Sequence, residues 1–276
     1  MTKKLCITTA YDMKFGMLGN YCASSIQHYA DTFGYEARIV SDAKIKERHP
    51  AWYRIQLIQQ LFAEGYEWVM WLDADAIFVR FDVDVLDQAE DGSDLYFVHE
   101  TGFSGAAYQP APNSGVMLFR NSDWSKKLLS EIWAETQYSE RFPWEQGALW
   151  KILGHHDGLS RLDKTHLAKE NVNQEYYEKI KLLPKQWNAM TTQNGLGCDD
   201  PVIVHMAGQP QDLRHRAIRA YWSSITGQGT EVAHSITSVR LEAENLRLKK
   251  SLERLTRSKG LRALARMRRW FEPRNW

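Results

Sequence analysis

The thirteen residues WVMWLDADAIFVR, at positions 68–80, limit what this chain can fold into more than any other stretch. Trp68 to Leu72 and Ala74 are apolar or aromatic, as in a strand covered on both faces. Two carboxylates, Asp73 and Asp75, interrupt that run. A buried strand tolerates charge only where it emerges from the core or where the charge is paired.

The 276-residue chain is long enough for one large domain, and its 43% apolar and 25% charged content is that of a globular protein. Short apolar runs at KLCITTA (4–10), YEARIVSD (35–42), DLYFVHE (94–100), SGVMLFR (114–120) and VIVHMAG (202–208) read as further strands. Helical spacing appears in YCASSIQHYADTF (21–33), AWYRIQLIQQLFAEG (51–65), SKKLLSEIWAETQ (125–137) and EQGALWKIL (145–153). Strands alternating with helices predict an α/β sheet with helices on both faces.

Ligands of such sheets gather at the carboxyl ends of strands, where Asp73 and Asp75 lie. At period two the pair would point to one face as the strand leaves the core. Two neighbouring carboxylates repel unless a cation lies between them, and a hard divalent ion with oxygen ligands suits that place. The plainer alternative is a solvated strand cap. A second Asp-x-Asp, Asp82 and Asp84, follows no apolar strand and reads as solvated.

Three cysteines, Cys6, Cys22 and Cys198, form no ligand spacing and fit free thiols in a reducing compartment. The opening MTKKLCITTAYD lacks the apolar run of a signal peptide, and no run of about 18 apolar residues spans a membrane. A cytoplasmic protein, peripheral on the inner face of the cytoplasmic membrane, is the expectation.

Five segments, in order, resemble the retaining galactosyl-, mannosyl- and xylosyltransferase family of nucleotide-sugar glycosyltransferases with the GT-A fold. They are HPAWYRIQLIQQL (49–61), WVMWLDADAIF (68–78), NSGVMLFRNSDWS (113–125), WEQGALW (144–150) and IVHMAG (203–208). The resemblance implies a Rossmann-like mixed sheet and a Mn²⁺- or Mg²⁺-dependent enzyme that moves a hexose or xylose from a UDP-sugar to a glycan or lipid-linked glycan in α linkage. Asp73, Asp75 and His205 would hold the metal, with Asp73 also near the ribose. On the residues alone, His205 is equally a satisfied strand-end histidine.

The same resemblance places Thr8, Thr9, Ala10, Asp42, Trp52, Arg54 and Ala74 on the nucleotide, with Gly208 in the nucleotide-binding set. It places Asn113, Ser114 and Gly115 beside the sugar. Glu145 and Gln146 would face the reactive carbon, and Glu145 is the acidic candidate if a nucleophile exists. Front-face attack, with the leaving phosphate taking the acceptor's proton, is the preferred route. The family's lysine after His-x-x-Gly is missing here, where Gln209, Pro210 and Gln211 follow, and Arg214 or Arg216 would substitute. His99 ends a strand on the same edge, whereas His155 and His156 beside Asp157 read as a surface turn.

Composition changes after Gly229, dividing the chain into a transferase domain (1–228) and a helical tail (229–276). From Arg240 to Trp276, twelve Lys/Arg stand against four Asp/Glu, a surplus of eight in a chain whose net charge is +1. Leu241, Leu248 and Leu255, with Asn245 and Leu252 at the other seam position, predict a short coiled coil and a homo-oligomer. Arg262, Arg266, Arg268 and Arg269 with Trp270 and Phe271 predict a basic amphipathic helix on an anionic membrane. No nucleic-acid motif accompanies the basic patch. Two rival readings are a phosphatase of the haloacid-dehalogenase type, which also uses Asp-x-Asp, and a non-enzymatic sugar-binding scaffold.

Overall fold

Two strands form the middle of the larger sheet: β3 (Tyr66–Leu72) and, antiparallel to it, β6 (Ala111–Arg120). Beyond β3 lie β1 (Lys3–Ala10) and β2 (Glu36–Val40), both parallel to it. Beyond β6 lie β5 (Leu95–Glu100), antiparallel to it, and β7 (Ile180–Leu182), parallel to β5. The order is therefore β2-β1-β3-β6-β5-β7, with β6 the reversed strand. This computed structural model describes residues 3–100, 111–155, 172–192, 195–196 and 198–227. The expected coiled coil and basic helix lie outside them, as do His156 and Asp157.

The alternation of β3 explains why its apolar run is nearly continuous. Trp68, Met70 and Leu72 enter one apolar cluster, while Val69 and Trp71 enter the other, on the opposite face. Burying an aliphatic side chain of this size contributes roughly 1.5–3 kcal/mol, so both faces must be covered. One face is covered by α2 (Tyr53–Ala63), α3 (Asp123–Ala134) and α4 (Glu145–Ile152). The other receives Ile26, Tyr29 and Ala30 of α1 (Gly16–Phe33). Gly34 ends α1 in the left-handed region at φ 71°, a conformation glycine adopts without steric cost.

A second sheet packs into the same cluster as α1. Its order is β4-β10-β8-β9, built from β4 (Ala76–Phe78), β8 (Ala189–Thr192), β9 (Gly195–Leu196) and β10 (Ile203–His205). The short helix α5 (Gln174–Tyr177) precedes β7. Helix α6 (Gln211–Ile225) lays Leu213, Ala217, Ile218 and Tyr221 against Leu18 and Cys22 of α1.

The structure corrects one expectation. Residues 68–80 are not a single strand with both aspartates on one face. β3 ends at Leu72, and residues 73–75 turn, closed by Ala76 N–H donating to the Asp73 carbonyl at 2.9 Å. β4 then joins the second sheet. Continuing the ladder would press the Asp75 carboxylate against an apolar layer without compensation, so the chain turns where the charges occur.

Cys6, Cys22 and Cys198 form no disulfide. Among the described residues, no helix is long and apolar enough to cross a membrane.

Candidate metal and nucleotide-sugar site

Strand direction assembles the site. Because β6 runs against β3, its first residues lie at the carboxyl end of β3. Leu72 pairs with Val116, and Asp73 N–H donates to the Gly115 carbonyl at 2.7 Å. Asn113, Ser114 and Gly115 therefore flank Asp73. The second sheet supplies the rest. β10 runs against β4 with His205 opposite Ala76, and Met206 N–H donates to the Asp75 carbonyl at 3.0 Å.

Ligating atoms of Asp73, Asp75 and His205 consequently lie within 4.8 Å of one another. His205 Nε2 is 3.3 Å from Asp75 Oδ1 and 3.9 Å from Asp73 Oδ2. The outer oxygens are held elsewhere. Asp73 Oδ1 accepts from the Trp71 indole at 2.8 Å, and Asp75 Oδ2 lies 3.0 Å from Arg214 Nη1. Burial pushes the Asp75 carboxyl up, but His205 and Arg214 more than offset it and hold the group below its ordinary value. Two carboxylates and one imidazole converging in this way fit a divalent ion of the Mn²⁺ or Mg²⁺ kind, whereas a thiolate-free set is less suited to structural zinc.

The His205 ring leans on backbone that no other residue could provide. A Cβ at Gly115 would fall 2.1 Å from His205 Cε1. Behind the ring, His205 Nδ1 meets Asn188 Oδ1 at 2.9 Å, and the Asn188 amide donates to Asn113 Oδ1 at 2.9 Å. Gly115 N–H donates to the same Asn113 oxygen.

On the other side of Asp73, Arg54 is a buried hub. Its Nη2 lies 2.9 Å from Asp73 Oδ1 and its Nε 3.1 Å from Glu145 Oε1, while Nη1 donates to the Ser114 carbonyl and hydroxyl. A guanidinium presents donors in a rigid fork and can serve all three partners, which an ammonium cannot. Glu145 Oε1 also accepts from the Ser114 hydroxyl, but Oε2 has no hydrogen-bond partner among the described residues. Burial, with help from the Asp73 charge, pushes the Glu145 carboxyl up to about 7 despite Arg54. The Gln146 carbonyl oxygen accepts from Ser114 N–H at 2.9 Å.

These residues gather around one point: Asp73, Asp75, His205, Arg54, Asn113, Ser114, Gly115, Glu145 and Gln146. Others expected on the nucleotide are placed differently. Trp52 is fully buried, its indole donating to the Tyr138 carbonyl and one side facing the Arg48 guanidinium, so it is a core residue and does not line the site. Thr8 and Thr9 are enclosed, Thr8 bonding the Arg38 carbonyl, and of that trio only Ala10 is partly exposed. Asp42 is exposed and paired with Lys44. Ala74 packs among Tyr11 and Ala23, and Gly208 occupies an exposed turn at φ 67°.

Of the two arginines weighed after His205, Arg214 reaches Asp75, whereas Arg216 pairs with Asp212 on the outer surface of α6. His99 and His155 both bond the Tyr177 hydroxyl, so His155 is more than a turn residue. Of the second pair only Asp82 is exposed, paired with Arg80, whereas Asp84 is half-buried, capping a short 3₁₀ turn and accepting from the Tyr35 hydroxyl at 2.6 Å. Two contributors, Asn188 and the Trp71 indole, were missed. Nothing local in LPKQWNAM marks Asn188, whose role depends on a histidine in another strand.

A family model described as nucleotide-diphospho-sugar transferase matches residues 44–215, more than half of the chain. No curated protein matches the sequence. Among solved structures, a glycosyltransferase involved in glycosylation of the major capsid of PBCV-1 is similar at 14% identity and TM-score 0.55, covering 78% of this chain and 98% of that one. The bifunctional glycosyltransferase WbbM is similar at 11% identity and TM-score 0.52 over 86% of this chain. GlyE of Streptococcus pneumoniae TIGR4 is similar at 15% identity and TM-score 0.50 over 84%. This chain spans 52% of the WbbM chain and 64% of the GlyE chain. At these identities the likeness shows a shared fold, the GT-A arrangement of a mixed sheet flanked by helices.

Proposed function

The chain belongs to the nucleotide-diphospho-sugar transferase family and is a glycosyltransferase, and from that premise we propose that it transfers a hexose or xylose from a UDP-sugar to a glycan or lipid-linked glycan with retention of the α configuration. The observation that carries this reading is the convergence of Asp73, Asp75 and His205 at the carboxyl end of β3. Family membership sets aside both the phosphatase and the non-enzymatic scaffold.

Asp73 Oδ2, Asp75 Oδ1 and His205 Nε2 would hold Mn²⁺ or Mg²⁺. Such an ion, when bound, neutralises negative charge developing on a diphosphate leaving group. The chain's own residues set the frame. Arg54 pins the far oxygen of Asp73, leaving Oδ2 toward the site. Arg214 brings a fixed positive charge to the same edge and takes the part of the basic residue absent after Gly208. Ser114 and Gln146 tie β6 to the start of α4, which orders the wall where the sugar would lie.

Glu145 is poorly suited to be a nucleophile. One oxygen is engaged by Arg54 and Ser114, and the carboxyl is largely protonated below about pH 7. That supports front-face attack over a covalent intermediate on this residue. The coiled coil and the membrane-facing tail belong to the same proposal, with the enzyme assembled as a homo-oligomer at the inner face of the cytoplasmic membrane.

The test is hydrolysis of a panel of nucleotide sugars with Mn²⁺ and without acceptor, for wild type and Asp75→Asn. Metal-dependent release of UDP by wild type, lost in the variant, is expected. Equal release by both proteins, with and without chelator, would sink the metal assignment.

A further inference from the structure

We propose that Asn188 is the positioning residue that selects the metal-binding tautomer of His205. The inference rests on the metal reading of Asp73, Asp75 and His205 and adds a residue outside that set. Neutral imidazole carries one proton, on Nδ1 or on Nε2, and only the bare nitrogen can bind a metal. His205 presents Nε2 to the two aspartates. Its Nδ1 meets an amide of Asn188 that is almost fully buried, 2.9 Å away.

That amide is itself oriented. The Asn188 NH₂ donates to Asn113 Oδ1, which also receives the Gly115 N–H. Asn113 Oδ1 has only acceptor capacity, so the Asn188 nitrogen must face it and the Asn188 oxygen must face His205. An oxygen at that position accepts, so Nδ1 carries the proton and donates. With Nδ1 so held, Nε2 is the nitrogen left to a metal, which would displace any proton it shares with Asp75. Histidine ligands generally donate their other ring nitrogen to such an outer partner, and removing the partner typically weakens metal binding 10- to 100-fold. Here the partner is a neutral amide held by a second amide, and both sit on backbone that shapes the site.

The experiment uses the full chain and Mn²⁺ alone as the probe, followed by the resonance of free Mn²⁺. Asn188→Ala is expected to raise the Kd for Mn²⁺ by roughly 10- to 100-fold. Asn188→Asp keeps an acceptor toward Nδ1 but cannot donate to Asn113, and it should bind within a few-fold of wild type. A purely structural role predicts the reverse, with Asp at least as damaging as Ala because it sets an oxygen against the Asn113 oxygen. A ¹⁵N-histidine spectrum of wild type with diamagnetic Mg²⁺ gives a second readout that needs no variant, and it should show the His205 proton on Nδ1. Wild-type Mn²⁺ affinity in Asn188→Ala, or a proton on Nε2, overturns the inference. His205→Ala separates the two claims: if it too binds Mn²⁺ like wild type, the metal site itself is wrong.

Discussion

Arg54, almost wholly buried, places Nη2 2.9 Å from Asp73 Oδ1 while its Nε reaches Glu145 at 3.1 Å. One cation thus lies between the two acids and offsets part of the burial that raises the Glu145 carboxyl. Arg54→Ala would leave Asp73 and Glu145 without their cation, retaining the Trp71 indole and the Ser114 hydroxyl, and should cost up to about 3–5 kcal/mol, most of it above about pH 7 where Glu145 is charged. Arg54→Lys keeps the charge but not the fork, so it should recover part of the stability and little of the activity. Urea unfolding alongside UDP-sugar hydrolysis separates these effects. Full hydrolysis by the lysine variant would show that only the charge at position 54 matters.

Glu145 should make stability depend on pH with a definite sign. Its carboxyl is raised in the folded protein from an ordinary 4.5 to about 7, so the folded state binds the proton more tightly than the unfolded chain. The stabilising contribution is complete below pH 4.5 and is lost as pH rises through about 7. A shift of this size corresponds to on the order of 3 kcal/mol. Glu145→Gln removes the titrating group, so metal-free protein should lose the fall in stability between those limits. Parallel pH slopes for the two proteins in denaturant titrations would refute this. The same variant should slow transfer without ending it, and mass spectrometry of wild type with donor should find no glycosyl adduct on Glu145.

Gly115→Ala tests the packing beneath His205. The added methyl would fall 2.1 Å from His205 Cε1 and 2.9 Å from Asn113 Oδ1, so the ring has to move. Overpacking of this kind costs typically 1–3 kcal/mol. We expect a folded protein whose Mn²⁺ affinity drops at least tenfold, an effect larger than the stability change alone would suggest. Calorimetric titration with Mn²⁺ reads it directly. Unchanged affinity would mean that the ring tilts without losing its aim.

The basic tail gives a prediction independent of the site. Each Lys or Arg near an anionic surface contributes about 1 kcal/mol, screened over roughly 8 Å at physiological ionic strength. Removing residues 257–276 should abolish co-sedimentation with anionic vesicles at low salt while leaving UDP-sugar hydrolysis intact. Equal sedimentation of the truncated and full chains would confine the tail to assembly. If the leucine spacing of 241–255 pairs chains as proposed, Leu248→Asp should separately lower the oligomeric state, because it would set an unpaired carboxylate at a seam position.

Asp73 and Asp75 were legible from the chain alone because both the apolar run and the charges that break it are local. A side chain's solvation depends first on its neighbours in sequence, and the alternation of strands and helices follows from the same short-range pattern. The sequence also contained His205, but nothing local distinguished a ligand from a strand-end histidine. Its place beside the aspartates is decided by β10 pairing antiparallel to β4, which carries the ring to a turn formed much earlier in the chain. Trp52 shows the opposite case: the resemblance put it on the nucleotide, yet long-range packing encloses it. β7, β8 and β9, of two to four residues each, are too short to show a period. The turn at 73–75, the Arg54 fork and the Asn113–Asn188–His205 chain belong to tertiary structure alone. The last two join residues remote in sequence, and the turn is fixed by the two different sheets that β3 and β4 enter, so strand direction and register determine which residues meet.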